Sequence, residues 1–103
     1  MGRALIRNVD PEVAARVRSE AHRLAELRPG KSIELRIPPY TAVQLGTEGG
    51  GPTHRRGTPP TVVEMDSDTF LSLVDRKLTW QQALQTHQVS ASGAHADLTD
   101  LFS

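Results

Sequence analysis

The sequence predicts an α+β domain in which helices cover one face of a sheet. Three features lead to this prediction: an amphipathic helical segment near the start, alternating strand segments in the middle, and short helical segments between the last strands. This order of elements is typical of α+β folds in which helices cover one face of a sheet. The chain has 103 residues, the size of one domain, so we treat residues 1–103 as a single domain.

The first helix begins at Asp10-Pro11, because Asp is a favourable N-cap and proline is favoured at the first helical position. Apolar side chains then recur at intervals of three and four residues, which is the spacing of one helix face. Pro29-Gly30 ends this helix. The apolar stripe consists of Val13, Val17, Ala21 and Leu24.

Three strands are predicted after the first helix. Residues 32–37 alternate between apolar and polar side chains, which indicates a strand with one face toward water. Pro38-Pro39 stops or bends this strand, because proline has no amide hydrogen to donate to a sheet ladder. Residues 40–45 and 61–65 are the next two strands, and residues 46–60 connect them.

Two short helices and a last strand follow. Asp66 or Ser67 caps the first helix, and Thr79 with Gln82 fits the capping box that begins the second. Residues 88–92 predict a short strand, followed by one or two helical turns. The apolar side chains of these three helical segments are Phe70, Leu71, Leu73 and Val74, then Trp80, Ala83 and Leu84, and finally Leu98, Leu101 and Phe102.

The composition argues against several classes of protein. Lys+Arg and Asp+Glu both number 12, and aromatic residues make up 4% of the chain. Nucleic-acid binding is therefore not expected, because it typically requires a basic face and aromatic stacking platforms. No apolar run approaches the ~20 residues of a transmembrane helix, and the start is too short and too charged for a secretory signal. We expect a cytoplasmic protein.

Motifs for metal binding or catalysis are not visible in the sequence. The histidines, which are His22, His54, His87 and His95, are scattered and lack the spacing of a metal site. The chain contains no cysteine, which excludes disulfides and thiolate sites. No G-x-S-x-G elbow, activated nucleophile or carboxylate pair is visible. We therefore predict that the protein is not an enzyme and uses no metal or cofactor.

The segment GGGPTHRRGTPP, residues 49–60, has the glycines of a phosphate-binding loop but not its motif. Such a loop requires G-x-x-x-x-G-K-[ST] before a helix, whereas a proline pair and a strand follow here. We interpret the segment as a long strand connection in which glycine allows unusual backbone angles. His54, Arg55 and Arg56 leave open an anion-contacting patch, because arginine pairs well with carboxylate and phosphate.

Several strings carry a family resemblance: ELRIPP, AVQ, GPTHRRGTPPTVVEMD, TW and SASGAHADL. Together they resemble the small actinobacterial proteins classed as bacterial sterol carrier protein orthologues, over roughly residues 28–101. The second half also resembles the broader sterol carrier protein 2 family. The resemblance implies a mainly antiparallel sheet of four to five strands with helices on one side, forming an apolar cavity for sterols, fatty acyl chains or other lipids. Asp75 and His87 stand where these families commonly have glycine, and His95 stands where arginine is expected.

For function, we expect non-enzymatic binding or carriage of an apolar ligand, a lipid, fatty acyl or sterol-like molecule, in a cavity between helices and sheet. A polar headgroup is expected near His54 and Arg56. The alternative is an interaction or accessory domain that docks its apolar face on a partner protein or on itself, as a homodimer. The sequence leaves open whether the apolar faces form a ligand cavity or an ordinary core. The side chains expected to contact the ligand are Phe70, Leu71, Val74, Leu84, Leu98, Leu101 and Phe102.

Overall fold

The computed structural model describes residues 10–46, 61–92 and 97–102 of the chain. The predicted α+β class is confirmed, because these residues contain three α-helices and four strands. In chain order the elements are α1 (Pro11–Leu27), β1 (Ile33–Ile37), β2 (Thr41–Leu45), β3 (Thr61–Met65), α2 (Ser67–Val74), α3 (Trp80–Gln85), β4 (Val89–Ser92) and a 3-10 helix (Thr99–Leu101), which we call the C-terminal turn.

Helix α1 forms where the sequence predicts it. The Asp10 carboxylate accepts hydrogen bonds from the amides of Glu12 at 2.9 Å and Val13 at 3.4 Å. One face of the helix packs against β2 and α2, and burial of that face stabilises the helix more than intrinsic propensity does. The buried residues are Ala14, Val17, Ala21 and Leu24.

The sheet has the strand order β2-β1-β3-β4. β1 pairs with β2, and β3 with β4, in antiparallel fashion, whereas β1 and β3 are parallel. The sheet is therefore mixed, and the prediction of mainly antiparallel pairing needs this correction at the centre of the sheet. Sequence alternation identifies strands and their faces, but it does not identify which strands are neighbours.

The register shows how the parallel pair of β1 and β3 is arranged. Ile33 lies between Leu45 on one side and Thr61 on the other, so the end of β2 and the start of β3 flank the same residue of β1. With neighbouring strands about 4.8 Å apart, the two ends are separated by roughly 10 Å. Residues 47–60, which lie outside the described ranges, connect these ends. β3 thus starts at the end of the sheet where β2 stops, and it pairs with the opposite edge of β1.

One face of the sheet is covered and the other faces water. Along β1, Ile33, Leu35 and Ile37 are buried, whereas Arg36 between them is exposed. α1 packs against β2, and α3 packs against β4, which agrees with the predicted placement of helices on one face. The centre of the core contains Leu24, Leu35, Val63, Phe70 and Leu73, all with 0% exposure.

Two glycines allow the end of α1 to lie directly against the end of β2. Gly30 has a φ of 148°, in the region that favours glycine. A Cβ atom on Gly46 would lie 2.1 Å from the carbonyl oxygen of Pro29, which is too close for any other residue. The Gly46 amide donates to the Arg28 carbonyl at 2.7 Å, and this contact fixes Arg28 at the corner.

Helices α2 and α3 are each followed, two positions after the last helical residue, by a residue other than glycine with left-handed backbone angles. His87 has a φ of 60°, which agrees with the family resemblance in placing a glycine-like position there. After α2, Arg76 has a φ of 61°, whereas Asp75 has a φ of −84°. The left-handed residue after α2 is therefore one position later than the expected glycine. Such angles are unfavourable for residues with a Cβ atom.

An ion pair connects α1 to the end of α2. Arg16 donates hydrogen bonds from both terminal nitrogens to the Asp75 carboxylate, with 3.2 Å between Nη1 and Oδ2. The hydrogen bond from Arg16 is the main reason that the pKa of Asp75 lies below its ordinary value. Both side chains remain in contact with water.

Candidate ligand pocket

A pocket of about 320 Å3 lies between the α2–α3 connection and the C-terminal turn. Its floor is apolar and consists of Leu78, Trp80 and Phe102, which are buried or partly buried, whereas its rim is polar and exposed. The lining residues are Arg76, Leu78, Thr79, Trp80, Gln81, Thr99 and Phe102. The pocket therefore combines an apolar floor with a polar opening to solvent, the usual composition of a small-molecule site.

The capping box of α3 places Trp80 in the floor. The Gln82 amide donates to Thr79 Oγ1 at 3.0 Å, and the Thr79 amide donates to Gln82 Oε1 at 2.9 Å. These reciprocal bonds satisfy amides that the first turn of a helix leaves without partners. They fix the first residue of α3, Trp80, whose side chain is buried beneath the pocket with 3% exposure.

Phe102 forms the opposite wall through contacts with two aromatic rings. Its ring stacks on Trp80, with centroids 6.1 Å apart and planes inclined by 17°. It meets Phe70 edge to face, with centroids 6.3 Å apart and an interplanar angle of 85°. Both arrangements are favourable for aromatic pairs, at about 0.5–1.5 kcal/mol beyond area burial. The C-terminal turn is therefore held against α2 and α3 by its aromatic residue.

Asp97 stabilises the C-terminal turn from the polar side. Its Oδ1 accepts hydrogen bonds from the Thr99 hydroxyl at 2.6 Å and from the Thr99 amide at 2.9 Å. These bonds lower the pKa of Asp97, and the positive charge of Arg28 acts in the same direction. Thr99 is also a pocket residue, so the turn and one part of the rim are fixed together.

Arg28 reaches the same turn from the end of α1. Its side chain is 8% exposed, and Nη2 lies 3.2 Å from Asp100 Oδ1. The Arg28 Nε atom is buried and has no hydrogen-bond partner among the residues that the structure describes. The guanidinium group has five N–H donors, so its hydrogen-bonding capacity in this position is only partly used.

The structure separates the predicted ligand-contacting residues into four groups. Phe102 lines the pocket. Phe70 and Leu98 have 0% exposure, so no water-sized space adjoins their side chains. Leu84 is at the surface with 36% exposure. The others pack partly buried against the core, and these are Leu71, Val74 and Leu101.

The predicted headgroup residues, His54 and Arg56, lie outside the described residues. Conversely, sequence reasoning did not assign Leu78 or the polar rim to a site. The sequence places Trp80 only among the apolar side chains of a short helix, whereas the structure shows that it is buried and also lines the pocket. The capping box located Trp80 at the start of a helix, but no sequence signal placed it opposite Phe102.

In the described part of the chain, no group of three or more His, Cys, Asp or Glu side chains could hold a metal ion. The carboxylates near the pocket are already engaged: Asp97 accepts from Thr99, and Asp100 pairs with Arg28. The arrangement is suited to the burial of an apolar group rather than to proton transfer.

Comparison with known proteins agrees with the family resemblance. Residues 10–103 match the family of bacterial SCP orthologs, where SCP denotes sterol carrier protein. A search of the curated proteins gives no match. Among the residues that the structure describes, no helix has the length and apolar character to cross a membrane. The family match includes every element from α1 to the C-terminal turn. The predicted family is thus confirmed, and the chain belongs to the bacterial sterol carrier protein orthologs.

Proposed function

We propose that this protein binds and carries an apolar ligand without chemical reaction, and that part of the ligand lies in the pocket above Trp80 and Phe102. The observation that carries the proposal is the apolar floor of Leu78, Trp80 and Phe102 beneath an opening to solvent. Membership of the sterol carrier protein ortholog family supports a lipid, fatty acyl or sterol-like ligand.

The pocket volume suits an acyl chain of moderate length. A water molecule occupies about 30 Å3 of liquid, and a methylene group is of similar size. The pocket of about 320 Å3 therefore accommodates about ten methylene groups. It lies near the lower end of the ~300–1,000 Å3 range of ligand sites.

The expected affinity is modest. Complete burial of ten methylene groups would contribute about 8 kcal/mol, at ~0.8 kcal/mol each. Association costs at least ~4 kcal/mol, and a pocket open to solvent shields only part of the ligand. The net gain is therefore at most about 4 kcal/mol, so we expect dissociation constants of about 1–10 mM for a single ten-carbon chain.

A longer or wider ligand would extend beyond the floor. Leu71, Val74, Leu84 and Leu101 retain some exposure and remain proposed contacts for that part of the ligand. Phe70 and Leu98 remain proposed contacts only after a rearrangement that opens space beside them. A headgroup near His54 and Arg56 is likewise proposed from the sequence, as is the cytoplasmic location.

A second candidate is an interaction module that docks an apolar surface on a partner protein or on a second copy. The exposure of two large apolar side chains favours it, since Leu27 is 61% exposed and Leu84 is 36% exposed. Single exposed leucines are common on soluble proteins, so we rank this candidate second.

Native mass spectrometry of gently purified protein, followed by incubation with fatty acids, fatty alcohols and sterols, separates the two candidates. The carrier proposal predicts a monomer that takes up one apolar molecule. A protein that stays free of ligand throughout the panel, and sediments as a tight dimer, would favour the interaction module and reject the carrier.

A pair of substitutions locates the binding. Leu78→Asn replaces an apolar floor residue with a polar one of similar size and should weaken decanoic acid binding roughly tenfold. Leu27→Asn is the matched control, because Leu27 is exposed and is not among the lining residues. Equal effects of the two substitutions would place the ligand elsewhere.

A further inference from the structure

Arg28 joins the end of α1 to the C-terminal turn, and its guanidinium group uses only part of its hydrogen-bonding capacity. Arg28 is 7% exposed, although arginine is almost never buried unless it is well paired. Its one side-chain hydrogen bond, from Nη2 to Asp100 Oδ1, is 3.2 Å long. The neighbouring Nε is buried without an acceptor.

The position of Arg28 does not depend on Asp100. The backbone of Arg28 is held by the Gly46 amide, at the corner where Gly30 and Gly46 are in close contact. Asp100, in contrast, belongs to a turn of three residues, and its side chain is 46% exposed. The rigid partner is therefore the arginine, and the adjustable partner is the turn.

The same turn carries part of the pocket wall. Thr99 and Phe102 flank Asp100 and both line the pocket. The turn is closed by the backbone bonds from the Leu101 amide to the Leu98 carbonyl at 3.0 Å and from the Phe102 amide to the Thr99 carbonyl at 3.1 Å. A displacement of Asp100 therefore moves the ring of Phe102 relative to that of Trp80.

We propose that Arg28 is a positioning residue for the pocket: through Asp100 it holds the C-terminal turn against Trp80 and so limits how fast an apolar ligand enters the pocket above Trp80 and Phe102. The link to ligand uptake rests on the proposed function. The control of the turn by Arg28 does not, because it follows from contacts in the ligand-free protein.

The ligand-free test is amide hydrogen exchange at Leu101 and Phe102, followed by NMR. Asp100→Asn should accelerate exchange at these two amides about three- to tenfold, because asparagine keeps the acceptor oxygen and removes only its charge, so part of the hydrogen bond's contribution is lost. Asp75→Asn is the matched control, since it weakens the other arginine–aspartate pair of α1 and should leave these amides unchanged. Equal exchange in Asp100→Asn and the wild type would overturn the proposal.

A third variant separates the ion pair from other contacts of Asp100. Arg28→Met removes the buried charge and retains an apolar stem of similar length. If the pair controls the turn, Asp100→Asn should have a smaller effect on exchange in the Arg28→Met background than in the wild type. A full additional acceleration in that background would show that Asp100 acts through another group, and the proposal would fail.

The ligand arm is stopped-flow uptake of decanoic acid, monitored by Trp80, the one tryptophan of the chain. Asp100→Asn should raise the association and dissociation rates together, by about three- to tenfold, with a smaller change in affinity. If the exchange result holds but the wild type takes up no decanoic acid, the proposed function fails and the control of the turn stands. If the wild type binds decanoic acid and the rates are unchanged in Asp100→Asn, the positioning role is wrong.

Discussion

The two ends of α1 each hold an arginine–aspartate pair, and the two pairs differ in their surroundings. Near the start of α1, Arg16 and Asp75 are 44% and 33% exposed and form two hydrogen bonds. At its end, Arg28 is 8% exposed, forms one bond to Asp100, and has a buried Nε atom without a partner. The better-bonded pair is thus the more exposed one.

This difference shows that hydrogen-bond geometry alone does not predict which of the two pairs contributes more to stability. Water solvates the exposed pair whether or not it forms, so its net contribution is small and sensitive to salt. Arg28 has lost most of its hydration on folding, and the loss of its partner would leave a buried charge uncompensated. The less perfect pair is therefore the one whose disruption has the larger consequence.

The largest expected effect is an asymmetry within the buried pair. Asp100→Ala should lower the free energy of unfolding by about 2 kcal/mol, because Arg28 is then buried without a counter-charge. Arg28→Met should cost less than about 1 kcal/mol, because it removes the charge together with the need for a partner. Urea unfolding of both variants measures the difference.

The exposed pair supplies the control for this asymmetry. Asp75→Ala and Arg16→Met leave the remaining partner in water, so their effects should be small and similar to each other. If Asp75→Ala were as destabilising as Asp100→Ala, or if Arg28→Met were as destabilising as Asp100→Ala, burial would not be the deciding factor.

A smaller effect is expected in acid, where the pKa values of Asp75 and Asp97 should respond differently to added salt. The pKa of each carboxyl is lowered in the folded protein. Each therefore contributes stability that is present above the unfolded pKa, about 3.9, and that is lost as the pH falls through the lower folded pKa.

The causes of the two pKa shifts predict the salt response. The pKa of Asp75 is lowered chiefly by the hydrogen bond from cationic Arg16, whereas the pKa of Asp97 is lowered chiefly by hydrogen bonds from the neutral hydroxyl and amide of Thr99. In 1 M NaCl, the pKa of Asp75 should rise toward its ordinary value, and that of Asp97 should change less, because screening acts on charges. NMR titration of the two carboxyl carbons measures this. A larger salt response at Asp97 would contradict it.

The smallest effect is a gain in stability from glycine at the left-handed position after α3. His87→Gly should raise the free energy of unfolding by about 0.5–1 kcal/mol, because glycine adopts a φ near 60° without a Cβ clash. Gln85→Gly, in the last turn of the same helix, is the control and should be destabilising. A loss of thermal stability in His87→Gly would show that its side chain makes a favourable contact.

Much of the fold was predictable because it depends on local chemistry. The Asp10 cap, the alternation along β1 and the capping box at Thr79 each specify their element within a few residues. The strand order was not predictable, because the parallel pairing of Ile33 with Thr61 joins parts of the chain separated by a long connection. The family resemblance implied a mainly antiparallel sheet and did not predict this parallel pair.

The pocket was less predictable than the fold. Phe102 was expected at a ligand site, but its stacking on Trp80 joins two segments that no periodic pattern connects. Arg28 also showed no sequence signal, since it stands at the end of a charged helix like any solvated arginine. It is buried beside the corner where Gly30 lies against Gly46, and that contact is a tertiary feature.

The most direct test of the central claim, that an apolar ligand lies against Trp80, is a fluorescence titration with 10-bromodecanoic acid. Bromine quenches tryptophan on contact, so saturable quenching with half-effect at about 1–10 mM is predicted, and unlabelled decanoic acid should reverse it by competition. Binding of the brominated acid in equilibrium dialysis without quenching of Trp80, or no binding at all, would contradict the account.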